Sequence, residues 1–537
     1  MYADLIMTGN IFTGYSSEPE RGAVIIINDT IQTVSGPDDY HKWKGPETKL
    51  FQFNEELIIP GFHDFHTHTY AGGLSQNSAS LFSARSEDEA AQMTADFAAE
   101  NPDSQWVLGL GWHHIFWGKK ELPTKESLDR LIPDRPVFLF NVEYHGAWVN
   151  SKALELTGIN RTSKDPEFGR IERDGNGEPT GFLYEDALGL VAEKALYLPD
   201  KARDLQFSKL LTMTASLGVT SLNDMMPLPG IQLDDTATYR RFEQNGELTL
   251  RIYLEGALNG DLKHAKQLRS DYSSGLIRLS GLKAFLDGVA TTYTASVVEP
   301  YSDRPEATGI TLLPPNLVED WVVAADRDGF RVRLHACGDG GVRLGLNCYE
   351  AAQKANGSRD SRHTIEHIET LHPDDFPRFK ELDVIASIQP EHLAMTETYS
   401  ETPYLERFKG DRLKNMFINN SFIQSGVHVA YSSDFPIVEM NPMNGIHRAV
   451  TRLHNDGEPK GGWNPEEKVS IGDALKCYTS GGAFGVFREN EIGKLGPGMK
   501  ADIAVLKKNL FKLDCPEEIR DVKIRMTIFN GKIIYEN

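Results

Sequence analysis

No stretch of this chain approaches the roughly 18 consecutive apolar residues that a membrane-spanning helix requires. There is also no basic stripe: 56 Lys and Arg stand against 77 Asp and Glu, a formal net charge of −21. That balance disfavours nucleic acid and anionic membrane as partners and leaves a small molecule as the expected one. Cysteine is scarce. Cys337, Cys348, Cys477 and Cys515 form no CxxC pair, which argues against a disulfide framework and against a cysteine-rich zinc module. The first ten residues place Asp4 early beside a short apolar run, without the basic start and long apolar core of a signal peptide. A soluble, cytoplasmic protein is therefore expected. Nothing in the sequence sets the oligomeric state, so a homo-oligomer stays open.

What is present is enough for several cores. At 537 residues, roughly 150 residues per domain suggests three or four units, although one barrel can absorb about 250. The central stretch is residues 57–68. An apolar run enters, Pro60-Gly61 turns, and His66 and His68 follow at i, i+2. On an extended strand alternate side chains share a face, so both imidazoles point the same way. Imidazole pairs of this kind supply half of a divalent-metal site, and the rest of the chain has to supply the remainder.

The two ends have a different texture. Residues 1–58 read as short strands with turns. Residues 490–537 do so again, with Asn530-Gly531 between two β-branched runs as a hairpin signal. Neither end holds enough strands for its own core, so the two are expected to combine into one small β domain, a β-sandwich. Between them, residues 59–489 are expected to form the main domain. Within it, a segment from about 70 to 205 is inserted after the first strand, near the mouth of the main domain. It contains a helix signal over 87–99 and two clusters rich in Trp and His, around Trp112 and around His145. Such clusters serve equally as core filler or as pocket lining.

From residue 205 onward, strand-like runs at 217–224, 250–255, 277–283, 331–335, 364–367, 384–390 and 427–434 alternate with helical ones. Alternation of this kind means parallel βαβ units, and with the opening strand there are eight. The fold class is α/β, a (β/α)8 TIM barrel, in which catalytic groups stand at the C-terminal ends of the strands. The runs end on informative residues: His66 and His68, then Lys283, His335, His367 and Asp434. Four histidines and a carboxylate at one barrel mouth compose a divalent-metal site with open positions for water.

These residues fall in longer motifs: Pro60-Gly61-Phe62-x-Asp64-x-His66-x-His68, Leu282-Lys283-x-x-x-Asp287-Gly288, His335-x-x-Gly338-Asp339, Ile365-Glu366-His367 and Ser432-Ser433-Asp434-x-Pro436. Near the end stands Gly493-x-Leu495-x-x-Gly498-x-x-Ala501-Asp502. With them the chain resembles the amidohydrolase superfamily, in the amidohydrolase-3 branch typified by YtcJ-like proteins and N-substituted formamide deformylases, along essentially its whole length. The resemblance implies a metal-dependent hydrolase that cleaves an amide or other non-peptide C–N bond, of the N-acyl or N-formyl amine type, by metal-activated water. It implies one or two ions, expected to be Zn2+. His66, His68 and Asp434 hold the more buried ion, and His335 and His367 the more exposed one. Lys283 matches a lysine that such enzymes carboxylate to a bridging carbamate. Asp434 takes the role of general base and then acid, and His335 helps to polarise the carbonyl. Trp112, His145, Tyr293 and Gln389 are the expected substrate contacts, with His392 beside Gln389 as a further candidate. Glu366, adjacent to His367, is expected on the opposite face of its strand in a supporting role, and His63 is expected to face away from the metal pair.

Two alternatives stay open. One is a different hydrolysis at the same site, of a cyclic amide or ester, or a deamination, although Lys283 disfavours a mononuclear deaminase. The other is a metal-binding regulatory protein without turnover.

Overall fold

The computed structural model describes residues 2–75, 77–118, 121–228, 230–232, 236–396 and 398–537. Eight parallel strands form the central sheet: β1 (Phe62–Thr67), β2 (Val219–Met225), β3 (Arg251–Ala257), β4 (Ile277–Phe285), β5 (Val332–Ala336), β6 (Thr364–His367), β7 (Ile385–Ile388) and β8 (Val429–Tyr431). Each pairs with the next in parallel register. The first and last strands meet beyond β8, where Thr67 bridges Phe435 in parallel and the Asp434 N–H donates to the His66 carbonyl at 2.8 Å. β1, β2, β5, β6, β7 and β8 are buried at every position. The polar residues among them, such as Asp64, Asn223, Arg333 and Glu366, are therefore buried and hydrogen-bonded. Helices Leu262–Asp271, Pro315–Arg327, Asp339–Asn356, Phe376–Glu381 and Asn420–Ser425 lie between successive strands. The β/α alternation expected from residue 205 onward is therefore the architecture of this part of the chain.

The entry to β1 depends on a glycine. A Cβ at Gly61 would lie 2.2 Å from Thr220 Oγ1 and 2.5 Å from Thr220 Cγ2, so a side chain there would push β2 away. The Gly61 N–H donates to the Asp502 carbonyl at 2.9 Å, tying the start of the barrel to the C-terminal segment.

Both chain ends join one seven-stranded sheet. The junction is the antiparallel pairing of Lys49–Pro60 with Ile503–Leu506, from Ile503 opposite Pro60 to Leu506 opposite Leu57. Successive residues of the N-terminal strands divide between two apolar clusters. Leu5, Met7, Val24 and Ile26 enter one, and Ile6, Ala23 and Ile25 the other. This is the period-two pattern of a sheet covered on both faces. The Asn530-Gly531 hairpin forms as its sequence predicts: Phe529 pairs with Lys532, and both turn residues have positive φ, 47° and 73°.

By internal contacts the chain divides into two compact units. One is 1–67, 210–225 and 239–537; the other is 68–209 with 226–238. The inserted unit thus gains a second piece after β2 in addition to the segment after β1. It carries a six-stranded sheet in the order Gly169–Arg173, Pro179–Glu185, Gly146–Val149, Val137–Asn141, Val107–Trp112, Ala79–Ser80. Its helix Glu87–Glu100 begins at Ser86, whose hydroxyl accepts from the Glu89 N–H, with three acidic residues in the first turn. Among the described residues no helix is long and apolar enough to cross a membrane.

Candidate metal centre

Each polar group of the centre sits where a barrel strand stops. His66 is the penultimate residue of β1 and is fully buried, and His68 follows two residues later. Lys283 lies near the end of β4, His335 near the end of β5 and His367 at the end of β6. Asp434 lies three residues beyond β8, with a left-handed backbone (φ 62°). Asp64, two residues before His66, holds that last segment in place. Its carboxylate accepts the Ser433 N–H at 3.0 Å and the Ser433 hydroxyl at 2.5 Å. Burial pushes the Asp64 carboxyl up to about 7.

The donor atoms converge. His66, His68 and Asp434 each offer one ligand atom, all within 4.8 Å of one another, and His367, His392 and Asp434 form a second such group. His66 Nε2 lies 3.3 Å from Asp434 Oδ1 and 3.4 Å from Lys283 Nζ. Asp434 Oδ2 lies 3.9 Å from His367 Nδ1 and 3.6 Å from His392 Nε2. Two ligands on one tetrahedral zinc with bonds of 2.0–2.1 Å stand about 3.4 Å apart. The His66–Asp434 spacing of 3.3 Å matches, and those of His392 and His367 to Asp434 are wider by a few tenths of an ångström.

Electrostatics keeps the imidazoles ready for a cation. Burial lowers the His66 ring from its ordinary value. His367 is driven well below, first by burial and then by the neighbouring His335, His66, Lys283 and His392. His367 Nδ1 is buried and makes no hydrogen bond among the described residues. Neutral rings with inward lone pairs are what a divalent ion needs. Burial also lowers the Lys283 amine to about 8, against the pull of Glu366 and Asp434.

Behind His66 stands a charge network in which Glu366 is the first member. His66 Nδ1 and Glu366 Oε2 are 2.7 Å apart. Glu366 Oε1 accepts from Arg333 Nε at 2.5 Å. Arg333 also donates to Glu255 Oε1 at 3.2 Å and to the Phe65 carbonyl at 2.7 Å, and Arg331 pairs with Glu255 from the other side. Burial raises the Glu366 carboxyl, but Arg333 and His66 outweigh that and hold it well below its ordinary value. A carboxylate there fixes the ring with its Nδ1–H outward and its Nε2 lone pair inward.

This placement corrects one sequence expectation. Glu366 and His367 are adjacent and were assigned to opposite faces, yet both reach His66: Glu366 by the 2.7 Å contact, His367 with ring centroids 5.0 Å apart. The reason is the backbone. His367 has φ 72° and Ile368 φ 52°, so β6 ends on left-handed residues and the alternation of a strand no longer applies. The signal available in the sequence was the pair Arg331 and Arg333 on either side of Val332 in a strand-like run, where buried guanidinium groups demand carboxylates.

The remaining expected residues separate into distinct places. His335 lies beside His367, ring centroids 4.4 Å apart, but in neither donor group; its Nε2 is 3.4 Å from the Gly288 carbonyl and 3.4 Å from Cys337 Sγ. Gln389 is buried past the end of β7 and donates to the Ser432 hydroxyl at 2.8 Å. Tyr293 donates its hydroxyl to Asp303 at 2.6 Å, and its ring lies under Arg304 and Arg407. Trp112 is packed inside the core of the inserted unit against Trp117, Trp148 and Phe182, with its indole N–H on the Leu139 carbonyl. His145, in the same unit, pairs with Glu185 at 2.7 Å. His63 bonds Asn223 at 2.8 Å and stacks on Tyr253, and Asn223 donates in turn to Glu255, the carboxylate that Arg333 also reaches.

A (β/α)8 barrel whose strand ends bring neutral imidazoles and a carboxylate together defines the class: a metal-dependent hydrolase fold. The amidohydrolase family model matches residues 54–535, and the chain belongs to that family. It is 31% identical to protein LONG AFTER FAR-RED 3 of Arabidopsis thaliana, over 99% of this chain and 92% of that one. It is 26% identical to the N-substituted formamide deformylase of Arthrobacter pascens, over 99% and 98%. An uncharacterized metal-dependent hydrolase from Pyrococcus horikoshii OT3 superposes with a TM-score of 0.75 at 23% identity, covering 95% of this chain and 98% of its own.

Proposed function

We propose that this protein hydrolyses an amide or related non-peptide C–N bond, with N-formyl and N-acyl amines as the substrate class and zinc as the ion. The observation that carries the reading is the group His66, His68 and Asp434, buried and spaced for one divalent ion. The substrate class is supported by the full-length similarity to a protein named for N-substituted formamides. A divalent ion at this place supplies Lewis acidity, polarising a carbonyl oxygen and acidifying water. Asp434 stands with one oxygen toward His66 and the other toward His367 and His392. From there it accepts the proton lost by attacking water and returns it to the leaving nitrogen, so the amine departs neutral. His66 is held in one tautomer by Glu366, which keeps the ring from rotating during turnover. The amine of Lys283, 3.4 Å from His66 Nε2 and lowered to about 8, would add to CO2, forming an N–C bond and losing a proton to solvent, and the carbamate would offer an anionic oxygen to a bound ion.

The test is a screen of metal-replete protein against N-formyl amines, N-acyl amines, cyclic amides, esters and aminated heterocycles. Release of formate or another carboxylate together with a free amine is the expected result. Turnover of esters or heterocycles alone would contradict the substrate class. Absence of turnover with any of them would leave the regulatory, metal-binding reading standing.

A further inference from the structure

The family pattern places one metal-binding histidine at the end of each of β5 and β6. Among the described residues a further histidine joins that pattern. His367 of β6 groups with His392 and Asp434, whereas His335 of β5 belongs to no group of three among the described residues. His392 lies on a short turn, Pro390–Ala394, directly after β7. We propose that His392 is a direct metal ligand, completing with His367 and Asp434 a second donor set at this centre. The proposal rests on the reading that the barrel mouth holds a divalent ion.

Three observations carry it. The ligand atoms of His367, His392 and Asp434 lie within 4.8 Å of one another, and all three residues are buried. His392 Nε2 is 3.6 Å from Asp434 Oδ2, near the spacing of two ligands on one zinc, and the two imidazoles flank the carboxylate nearly parallel, at 10°. The turn is also anchored on either side of His392. Glu391 pairs with Arg448 at 2.8 Å, and Leu393 and Ala394 are buried in an apolar cluster with Tyr404, Phe408 and Trp463. A ligand needs such support, because one free to swing pays conformational entropy on binding.

The far side of the ring is supported as well. His392 Nδ1 faces Glu369 Oε1 at 3.9 Å, and the other oxygen of Glu369 accepts the Tyr404 hydroxyl at 2.7 Å. At 3.9 Å the Glu369 carboxylate is beyond a direct hydrogen bond and acts on the ring through its charge. Glu366 stands closer to His66, at 2.7 Å. His335, by contrast, has its Nε2 directed at the Gly288 carbonyl and Cys337 Sγ, each at 3.4 Å.

The test uses the full chain, stripped of metal and titrated with Zn2+ against a chelating indicator, then with Co2+ while its visible spectrum is followed. Wild type is compared with His392→Gln, His392→Glu and Glu391→Gln. The first two variants have similar size and reach and differ in whether they offer a strong ligand. Glu391→Gln loosens the same turn without touching the donors. The expected result is that His392→Gln weakens one bound ion by more than the roughly 10–100-fold typical of losing an outer-shell partner. His392→Glu retains that ion with an altered cobalt spectrum, and Glu391→Gln binds as wild type does. Equal affinity and an unchanged spectrum in His392→Gln would overturn the proposal, and so would equal losses in all three variants. Failure of wild type to bind any ion would overturn the metal reading together with it. Metal binding by wild type with no effect of either His392 variant would overturn this inference alone.

Discussion

Glu366→Gln is the perturbation whose consequences follow most directly from the structure. It keeps the size of the side chain and one carbonyl oxygen, and it removes a charge that stands between His66 at 2.7 Å and Arg333 at 2.5 Å. The amide has one oxygen to accept with, so one of the two bonds is weakened and the other lost; with hydrogen bonds to charged groups at about 1.5–3 kcal/mol, the cost is about 2–4 kcal/mol. Arg333 keeps Glu255 and the Phe65 carbonyl, which should hold the loss below the upper end of the ~3–5 kcal/mol seen when a buried pair is broken outright. The sign with pH is fixed. The Glu366 carboxyl is held well below its ordinary value in the folded chain. Its contribution is therefore complete above the unfolded value of about 4.3 and is lost as pH falls toward the folded one. Denaturant unfolding of metal-free wild type and variant should show a constant gap from about pH 5 to 8 that shrinks below about pH 4.5. Zinc affinity at pH 7.5 should fall about 10–100-fold, because His66 loses the group that fixes its tautomer. Equal stability across that range and unaltered zinc affinity would refute the role given to Glu366.

Other outcomes follow from the same geometry. Asp434→Asn, assayed at saturating metal on a substrate found by the screen, should lower kcat by about 10²–10⁴; an unchanged kcat would remove Asp434 from proton transfer. With an amine at about 8, Lys283 is about one quarter neutral at pH 7.5, against roughly one part in a thousand at its ordinary 10.5. Protein incubated with ¹³C-bicarbonate should accordingly show a carbamate resonance that grows from about pH 6.5 to about 8.5 as the amine loses its proton and is absent from Lys283→Gln, and its absence from wild type would contradict the modification. Trp112→Ala should cost about 3–5 kcal/mol of stability by opening a cavity among Trp117, Trp148 and Phe182, with KM changed less than about twofold. A large rise in KM at unchanged stability would return Trp112 to the substrate pocket.

The barrel was legible because its strands are short and regularly spaced between helices, and because Lys283, His335 and His367 fall within the last residues of their strands. The pairing of the two ends was legible for a different reason: strands that cannot close a core alone have to find one another, and Lys49–Pro60 finds Ile503–Leu506. Strand alternation misled where strands stop being strands. The positive φ of His367 and Ile368 turns Glu366 and His367 toward one histidine, and no residue pattern announces that turn. His392 drew attention only as a neighbour of Gln389, since a histidine on a short turn has no register from which to infer its direction. Trp112 illustrates the opposite limit. Aromatic clusters look alike in a sequence whether they line a pocket or fill a core, and packing decides between them.

The central claim is that the ends of the barrel strands hold a divalent ion. Anomalous diffraction from crystals grown with zinc, collected on either side of the zinc absorption edge, tests it directly. The account predicts a peak within about 2.0–2.2 Å of both His66 Nε2 and an Asp434 carboxylate oxygen. Zinc bound only elsewhere on the chain, with no peak among these residues, would contradict it.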